Sequence, residues 1–154
     1  MIKAYNEEKQ PEMFAPRLYG LDLQHKHIPE IQYVTGLVRP PVFCPVVDDY
    51  YAGIATTIML HKELLIGHPG AKDIQKLLSD YYEQRHLEGE HHITVAPELG
   101  SGMLESNWGE AGDAMMITVS GNDDLMIVTA RFDNLGKGAS GAAVQNMNIM
   151  LDLN

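Results

Sequence analysis

Two histidines close together in the first part of the sequence could carry acid–base chemistry. His25 and His27 flank Lys26, and Glu30 follows His27 by three residues. Histidine accepts and donates protons near neutral pH because its ordinary pKa is roughly 6.5. A carboxylate such as that of Glu30 could orient an imidazole and raise its basicity. The common alternative is that such a histidine lies on the surface or caps a helix start, and these residues alone leave both interpretations open.

A run of small residues near the C-terminus is a second candidate site. Gly138 and Gly141 alternate with alanines and precede an apolar segment. Small side chains at a helix start let another backbone or a ligand approach closely. The first N–H groups of a helix also attract anions. The run lacks the G-x-G-x-x-G spacing of dinucleotide-binding turns, so its spacing alone favours packing against a neighbouring element.

The other reactive residue types favour no further site. The single cysteine, Cys44, lies in the apolar segment 42–47, where we expect a buried and inert thiol with a raised pKa. Potential metal ligands also cluster after the helical segment 71–85: His86, Glu90, His91 and His92. Their spacing matches no zinc motif, so we expect no metal site.

The composition predicts one compact, soluble domain. The chain has 154 residues, of which 45% are hydrophobic and 21% are charged. Its formal net charge is −10, and we therefore expect no binding to nucleic acid or to a membrane. No stretch approaches the roughly 18 apolar residues that span a bilayer. One cysteine and no apolar signal-peptide core are typical of a cytoplasmic protein.

Helices are predicted in three places. The clearest is 71–85, where Ile74, Leu77, Leu78, Tyr81 and Tyr82 would share one face. A short helix over 27–34 would carry a proline in its first turn and end at a glycine. The tail from residue 137 to residue 151 reads as the third.

Strands are predicted at 17–19, 42–47, 51–60, 92–95, 114–120 and 125–132. The last two would form a hairpin through 121–124. We expect its apolar residues to face one another, with Met116, Ile117 and Val119 opposite Met126, Ile127 and Val128. Alternating β-α-β units are absent, so the predicted class is α+β, with a mixed, mostly antiparallel sheet and helices on one face.

Three segments together resemble a known family. The tail DNLGKGASGAAVQNMN at 133–148 resembles the C-terminal signature of N-acetyl-gamma-glutamyl-phosphate reductases, in the semialdehyde-dehydrogenase superfamily. The stretch 19–31 is similar to the H-x-H-x-P-E-I segment of that family, with its upstream tyrosine, and Ser106-Asn107 resembles the S-N segment. The sequence departs from the family at 50–53, where many relatives carry an arginine before the glycine.

The resemblance implies roles for individual residues. His27 would be the general acid/base, and His25 would contact the phosphate or a carboxylate of the substrate. Further substrate-binding residues would be Tyr19, Glu30, Ser106 and Asn107. Residues beside NADP would be Asn134, Lys137, Gly138, Ala139, Gly141 and Gln145.

The resemblance also implies that the chemistry needs a second half. In the family, a cysteine thiolate attacks the acyl phosphate, phosphate leaves, and NADPH reduces the thioester to the semialdehyde. That cysteine belongs to a Gly-Cys-Tyr-type motif in the nucleotide-binding half, and this sequence does not contain the motif. We therefore expect the chain alone to be inactive, with the nucleotide-binding half and a second copy as partners.

The implied organisation has three parts. Residues 1–16 would form a flexible arm, and 17–136 a substrate-binding and dimerisation domain like the C-terminal domain of glyceraldehyde-3-phosphate dehydrogenase. Residues 137–154 would form a helix that packs on the Rossmann domain. Two alternatives stay open: a non-catalytic dimerisation or regulatory module, and a related acyl-phosphate reductase with another substrate.

Overall fold

The computed structural model describes residues 9–87, 92–108 and 112–153. The chain divides into two compact units, Met1–Tyr50 and Tyr51–Asn154. This boundary lies inside the range 17–136 that we predicted as one domain, and the proposed functional division at residues 16 and 136 stays a prediction. Within the described ranges, no helix has both the length and the apolar character required to cross a membrane.

The first unit is small and contains one helix. Its elements are a 3-10 turn at Pro11–Phe14, β1 at Arg17–Leu18, α1 at His27–Thr35 and β2 at Val46–Val47. β1 and β2 pair antiparallel. Gly36 ends α1 in the left-handed conformation, with φ 70°, as the glycine there predicted.

Only the end of the predicted strand 42–47 forms a ladder, and Cys44 is exposed. Phe43 is half-buried and Pro45 is buried, so the extended chain alternates and turns the cysteine outward. Pro45 has no N–H, but its carbonyl accepts the backbone N–H of Tyr19 at 3.1 Å. Our expectation of a buried Cys44 thiol was therefore wrong.

The second unit is a four-stranded sheet with two helices. Its elements are β3 at Ile54–His61, α2 at Ala71–Leu87, β4 at Ile93–Val95, β5 at Met115–Gly121, β6 at Leu125–Phe132 and α3 at Gly141–Met150. The strand order is β3-β6-β5-β4. The β3–β6 and β6–β5 pairs are antiparallel, and the β5–β4 pair is parallel. The predicted α+β class with a mixed, mostly antiparallel sheet is confirmed.

The core lies between α2 and one face of this sheet. Ala71 at the start of α2 is buried with Val119 and Met126, and Ile74 and Leu78 pack beside them. The predicted stripe of α2 was too wide, because Leu77 and Tyr81 are 63% and 55% exposed. The helix therefore buries a narrow row in which successive contacts lie three or four residues apart.

The hairpin β5–β6 has a different register from the one we expected. Val119 lies opposite Val128, but Ile117 pairs with Ala130 and Met116 with Arg131. Met126 and Ile127 lie opposite Gly121 and Ser120, so the expected facing of the two apolar runs holds for Val119 with Val128 and is wrong for the other residues. Gly121 opposite Met126 closes the hairpin.

Candidate active site

The first unit gathers all of its predicted catalytic and substrate residues into one aromatic cluster. The His25 ring lies 4.7 Å from the His27 ring and 5.9 Å from the Tyr19 ring, between centroids. Phe43 approaches the same histidine at 5.0 Å. The cluster is positioned by the start of α1, which begins at His27, and by the segment before β2.

His25 makes a contact that fixes its tautomer. The backbone N–H of His27 donates to Nδ1 of His25 at 3.2 Å. A nitrogen that accepts a hydrogen bond carries no proton, so the neutral ring has its proton on Nε2. The acceptor satisfies one of the unpaired N–H groups at the start of α1. A cap at a helix start was our alternative to a chemical role for one of the two histidines, and His25 makes this capping contact. The Nε2–H group of His25 remains as a donor.

The ring of His27 lies beside a carboxylate. Its Nε2 lies 3.9 Å from Oε2 of Glu30, one helical turn further along α1. The side chains of His27 and Glu30 are 47% and 67% exposed. At this distance the carboxylate can hold the orientation of the His27 ring, and both side chains stay open to water. His27 is therefore the histidine of the pair with both solvent access and a charged partner.

The second unit holds the predicted residues Ser106 and Asn107 against Gly53. A Cβ added to Gly53 would overlap the carbonyl oxygen of Ser106, and the glycine has φ +127°, so only glycine suits this position. The Gly53 N–H donates to Oδ1 of Asn134 at 2.8 Å. Asn134, which we predicted beside the cofactor, is thus brought next to the predicted substrate segment.

Sequence reasoning missed a charged group beneath this segment. Arg131 is 8% exposed, and its Nη1 donates to Oε1 of Glu105 at 2.9 Å. Its guanidinium also lies 5.5 Å from the centroid of the Trp108 ring. A backbone hydrogen bond within Glu105 and the charge of Arg131 hold the pKa of Glu105 below its ordinary value. The available signal was one charged residue inside the otherwise uncharged strand LMIVTARF.

The tail brings two predicted cofactor residues together. Lys137 Nζ donates to Oε1 of Gln145 at 2.8 Å. The expected helix from 137 to 151 begins with a π-helical turn, Gly136–Ser140, before α3. Its wide hydrogen bonds include Gly138 N to Asp133 O at 2.9 Å, and such turns are frequent at functional sites.

Gly141 marks a close approach at the start of α3. A Cβ on Gly141 would overlap the carboxylate of Asp113, a second residue that the sequence did not single out. A carboxylate near the first turn of a helix is favoured by the unpaired N–H groups there. Ala139 lies in the π-helical turn before α3 and is exposed.

The expected absence of a metal site stays a prediction. His86 Nε2 lies 2.5 Å from the carbonyl oxygen of Ile93, which occupies that ring nitrogen. Glu90 and His91 lie outside the described residues. Among the residues that are described, no group of three or more potential ligands could hold a metal ion.

Comparison with known proteins places this fold and these residues in a family. The family model of the semialdehyde dehydrogenase dimerisation domain matches residues 3–134. Because the match covers most of the chain, the chain belongs to the semialdehyde dehydrogenase dimerisation-domain family. The α+β sheet described above is consistent with the C-terminal domain of that family.

Its similarity to individual proteins is more specific. It is 40% identical over 149 residues to N-acetyl-gamma-glutamyl-phosphate reductase 2 of Pseudomonas putida, covering 89% of this chain and 44% of that protein. The protein of the same name from a Nostoc species is 38% identical, with 88% and 43% covered. N-acetyl-gamma-glutamyl-phosphate reductase of Brucella anthropi is 37% identical, with 98% and 49% covered. The chain thus spans less than half the length of these relatives. The predicted resemblance to N-acetyl-gamma-glutamyl-phosphate reductases is confirmed.

Proposed function

We propose that the chain supplies the acid/base histidine and the dimer interface of an NADP-dependent reductase. That enzyme would convert N-acetyl-gamma-glutamyl phosphate to N-acetylglutamate semialdehyde in arginine biosynthesis. The proposal is supported most by the cluster of His25, His27, Tyr19 and Glu30 in a chain similar to such reductases. The nucleophilic cysteine would come from the nucleotide-binding half.

The two histidines would divide the work. His27, beside Glu30, would give a proton to the thioester oxygen as hydride arrives and take it back when the thiolate leaves and the semialdehyde forms. His25 would donate Nε2–H to a substrate oxygen, since its Nδ1 is already engaged by a backbone N–H. Tyr19 and Phe43 would limit the rotation of His25 by packing on its ring. Exposed Cys44 would take no part, because the family chemistry uses a cysteine from the other half.

The tail residues fit the uncharged end of NADP better than a phosphate. Within the described part of the chain Nδ2 of Asn134 has no hydrogen-bond partner, and Gly138 is exposed, which suits a carboxamide. The Asp113 carboxylate at Gly141 would repel a phosphate there. Lys137 and Gln145, which bond each other, would support this turn. When bound, NADPH would supply the hydride.

The exposed apolar stripe of α3 would bind the nucleotide-binding half. Val144 and Met147 are 52% and 50% exposed, and no residue of α3 is buried. Such a stripe is costly to leave in water and is typical of an interface.

The histidine assignment is tested in enzyme reconstituted with the nucleotide-binding half of the Pseudomonas putida relative. His27→Gln should lower kcat by about a hundredfold or more and remove one limb of the pH–rate profile. His25→Gln should mainly raise KM. The matched control is His68→Gln, an exposed histidine 3.7 Å from the Glu63 carboxylate. Equal kinetics for His27→Gln and the control would contradict the assignment.

The dimer would form on the face of the sheet that α2 leaves uncovered, at the end nearest the β5–β6 hairpin and away from Arg131. Met59 and Ile127 pair across β3 and β6 on this face and are 80% and 39% exposed. Sedimentation equilibrium should give a dimer, and Met59→Lys should weaken association by about tenfold or more. Ile66→Lys, at a fully exposed position, is the control. A monomer at all concentrations would rule the interface out.

A further inference from the structure

Arg131 is a buried cation whose hydrogen-bonding capacity is only partly used. Its side chain is 9% exposed. Among the described residues, Nε of Arg131 is buried without a hydrogen-bond partner. The buried Nε is not open to a ligand, but a buried guanidinium is costly unless its charge is paired, so the donors nearer the surface need an anion.

The position on Nη1 can be reached from solvent. Nη1 donates to Oε1 of Glu105 at 2.9 Å and to the Glu105 carbonyl oxygen at 3.4 Å. The Glu105 side chain is 61% exposed. Because the carboxylate that contacts Nη1 lies mostly in water, the place it occupies is at the surface, and an exposed side chain leaves it at little cost.

The surroundings of Arg131 are held in place. The Trp108 ring lies 5.5 Å from the guanidinium carbon and restrains its plane. Glu105 and Trp108 both contact Arg131, and Ser106 and Asn107 lie between them in the chain. Close contact with Gly53 fixes Ser106 and Asn107 from the other side. The chain between Glu105 and Trp108 is therefore held by contacts to Arg131 and to Gly53.

We propose that Arg131 is a carboxylate-binding residue and that Glu105 occupies its binding position in place of a carboxylate of the ligand. A guanidinium suits a carboxylate because its donors match the spacing of the two oxygens. The identity of the ligand, a carboxylate of an N-acylated acidic amino acid, rests on the proposed function. The anion site itself needs no activity to be tested.

Trp108 gives a direct readout, since it is the single tryptophan of the chain. Its emission is followed while the whole chain is titrated with N-acetyl-L-glutamate, with inorganic phosphate, and with the dimethyl ester of N-acetyl-L-glutamate. We expect saturable change with N-acetyl-L-glutamate, weaker binding of phosphate and none of the ester. Tighter binding of phosphate, or equal binding of the uncharged ester, would overturn the assignment.

Two kinds of variant separate the site from general charge effects. Glu105→Gln should lower Kd for N-acetyl-L-glutamate by about tenfold, because a competing charge-assisted hydrogen bond is weakened. Asp80→Asn removes the same charge from the exposed Lys76–Asp80 pair on α2 and should leave Kd unchanged. Arg131→Lys should raise Kd by about tenfold, because the planar fork is lost. Arg131→Gln should abolish binding.

Comparing the Kd of Glu105→Gln with the Kd of Asp80→Asn tests the anion site even if Arg131→Gln does not fold. Equal Kd values for these two variants, or no saturation in either, would overturn the proposal. Saturable, Glu105-dependent binding together with failed reconstitution of reductase activity would keep the site and remove the proposed function. Titrations without a change in Trp108 emission, together with restored reductase activity, would remove the site and keep the proposed function.

Discussion

The two helices of the second unit both carry apolar residues, but their surroundings differ. α2 packs Ala71, Ile74 and Leu78 on the sheet, next to fully buried Met126. α3 buries nothing, and its Met147 and Met150 are 50% and 85% exposed. An apolar stripe therefore predicts a helix in both cases, but it does not tell which surface the helix covers.

The starts of the two helices differ in the same sense. The Asp73 carboxylate accepts the N–H of Gly70 at 3.0 Å, which ties the first turn of α2 to the chain before it. α3 has no side-chain cap and follows a π-helical turn, where Ser140 Oγ bonds back to Leu135 O at 2.8 Å. α2 is thus anchored to its own unit, whereas α3 presents the exposed stripe that we propose binds the nucleotide-binding half.

The largest expected difference in the free energy of unfolding is between substitutions of two methionines. Met126→Ala removes a side chain that is 1% exposed, and should lower the free energy of unfolding by about 3 kcal/mol. Met150→Ala, at an exposed site on α3, should change it by less than about 0.5 kcal/mol. Urea denaturation followed by circular dichroism measures both. Similar losses for the two variants would show that α3 packs as α2 does.

A smaller difference is expected at the helix starts. Asp73→Ala should cost about 1 kcal/mol, since the Gly70 N–H loses its acceptor. Ser140→Ala should cost less than about 0.5 kcal/mol, because its hydroxyl caps no N–H group of α3. The same denaturation experiment applies. A larger loss of stability for Ser140→Ala than for Asp73→Ala would show that the start of α3 is held more firmly than the start of α2.

The sequence predicted the helices, the hairpin and the mixed sheet because their signals are local. Periodic apolar residues, Gly36 and Gly121 at the end of β5 act within a few residues. The width of the buried face of α2 and the exposure of Cys44 depend on what packs nearby. These could not be read from periodicity alone.

The candidate site divides in the same way. His25 and His27 stood out because histidine suits acid–base chemistry and because the family segment around them is distinctive. Arg131 and Glu105 are 26 residues apart, and their contact depends on where the loop before β5 crosses the sheet. A pairing of that kind needs the fold.

The most direct test is reductase activity of the chain alone, of the nucleotide-binding half of the Pseudomonas putida relative alone, and of their mixture. The assay follows phosphate-dependent reduction of NADP by N-acetylglutamate semialdehyde. We expect activity only in the mixture, and loss of both activity and association with Met147→Asp on α3, without loss of stability of the chain. Activity of the chain alone, or associated halves that stay inactive, would contradict the account.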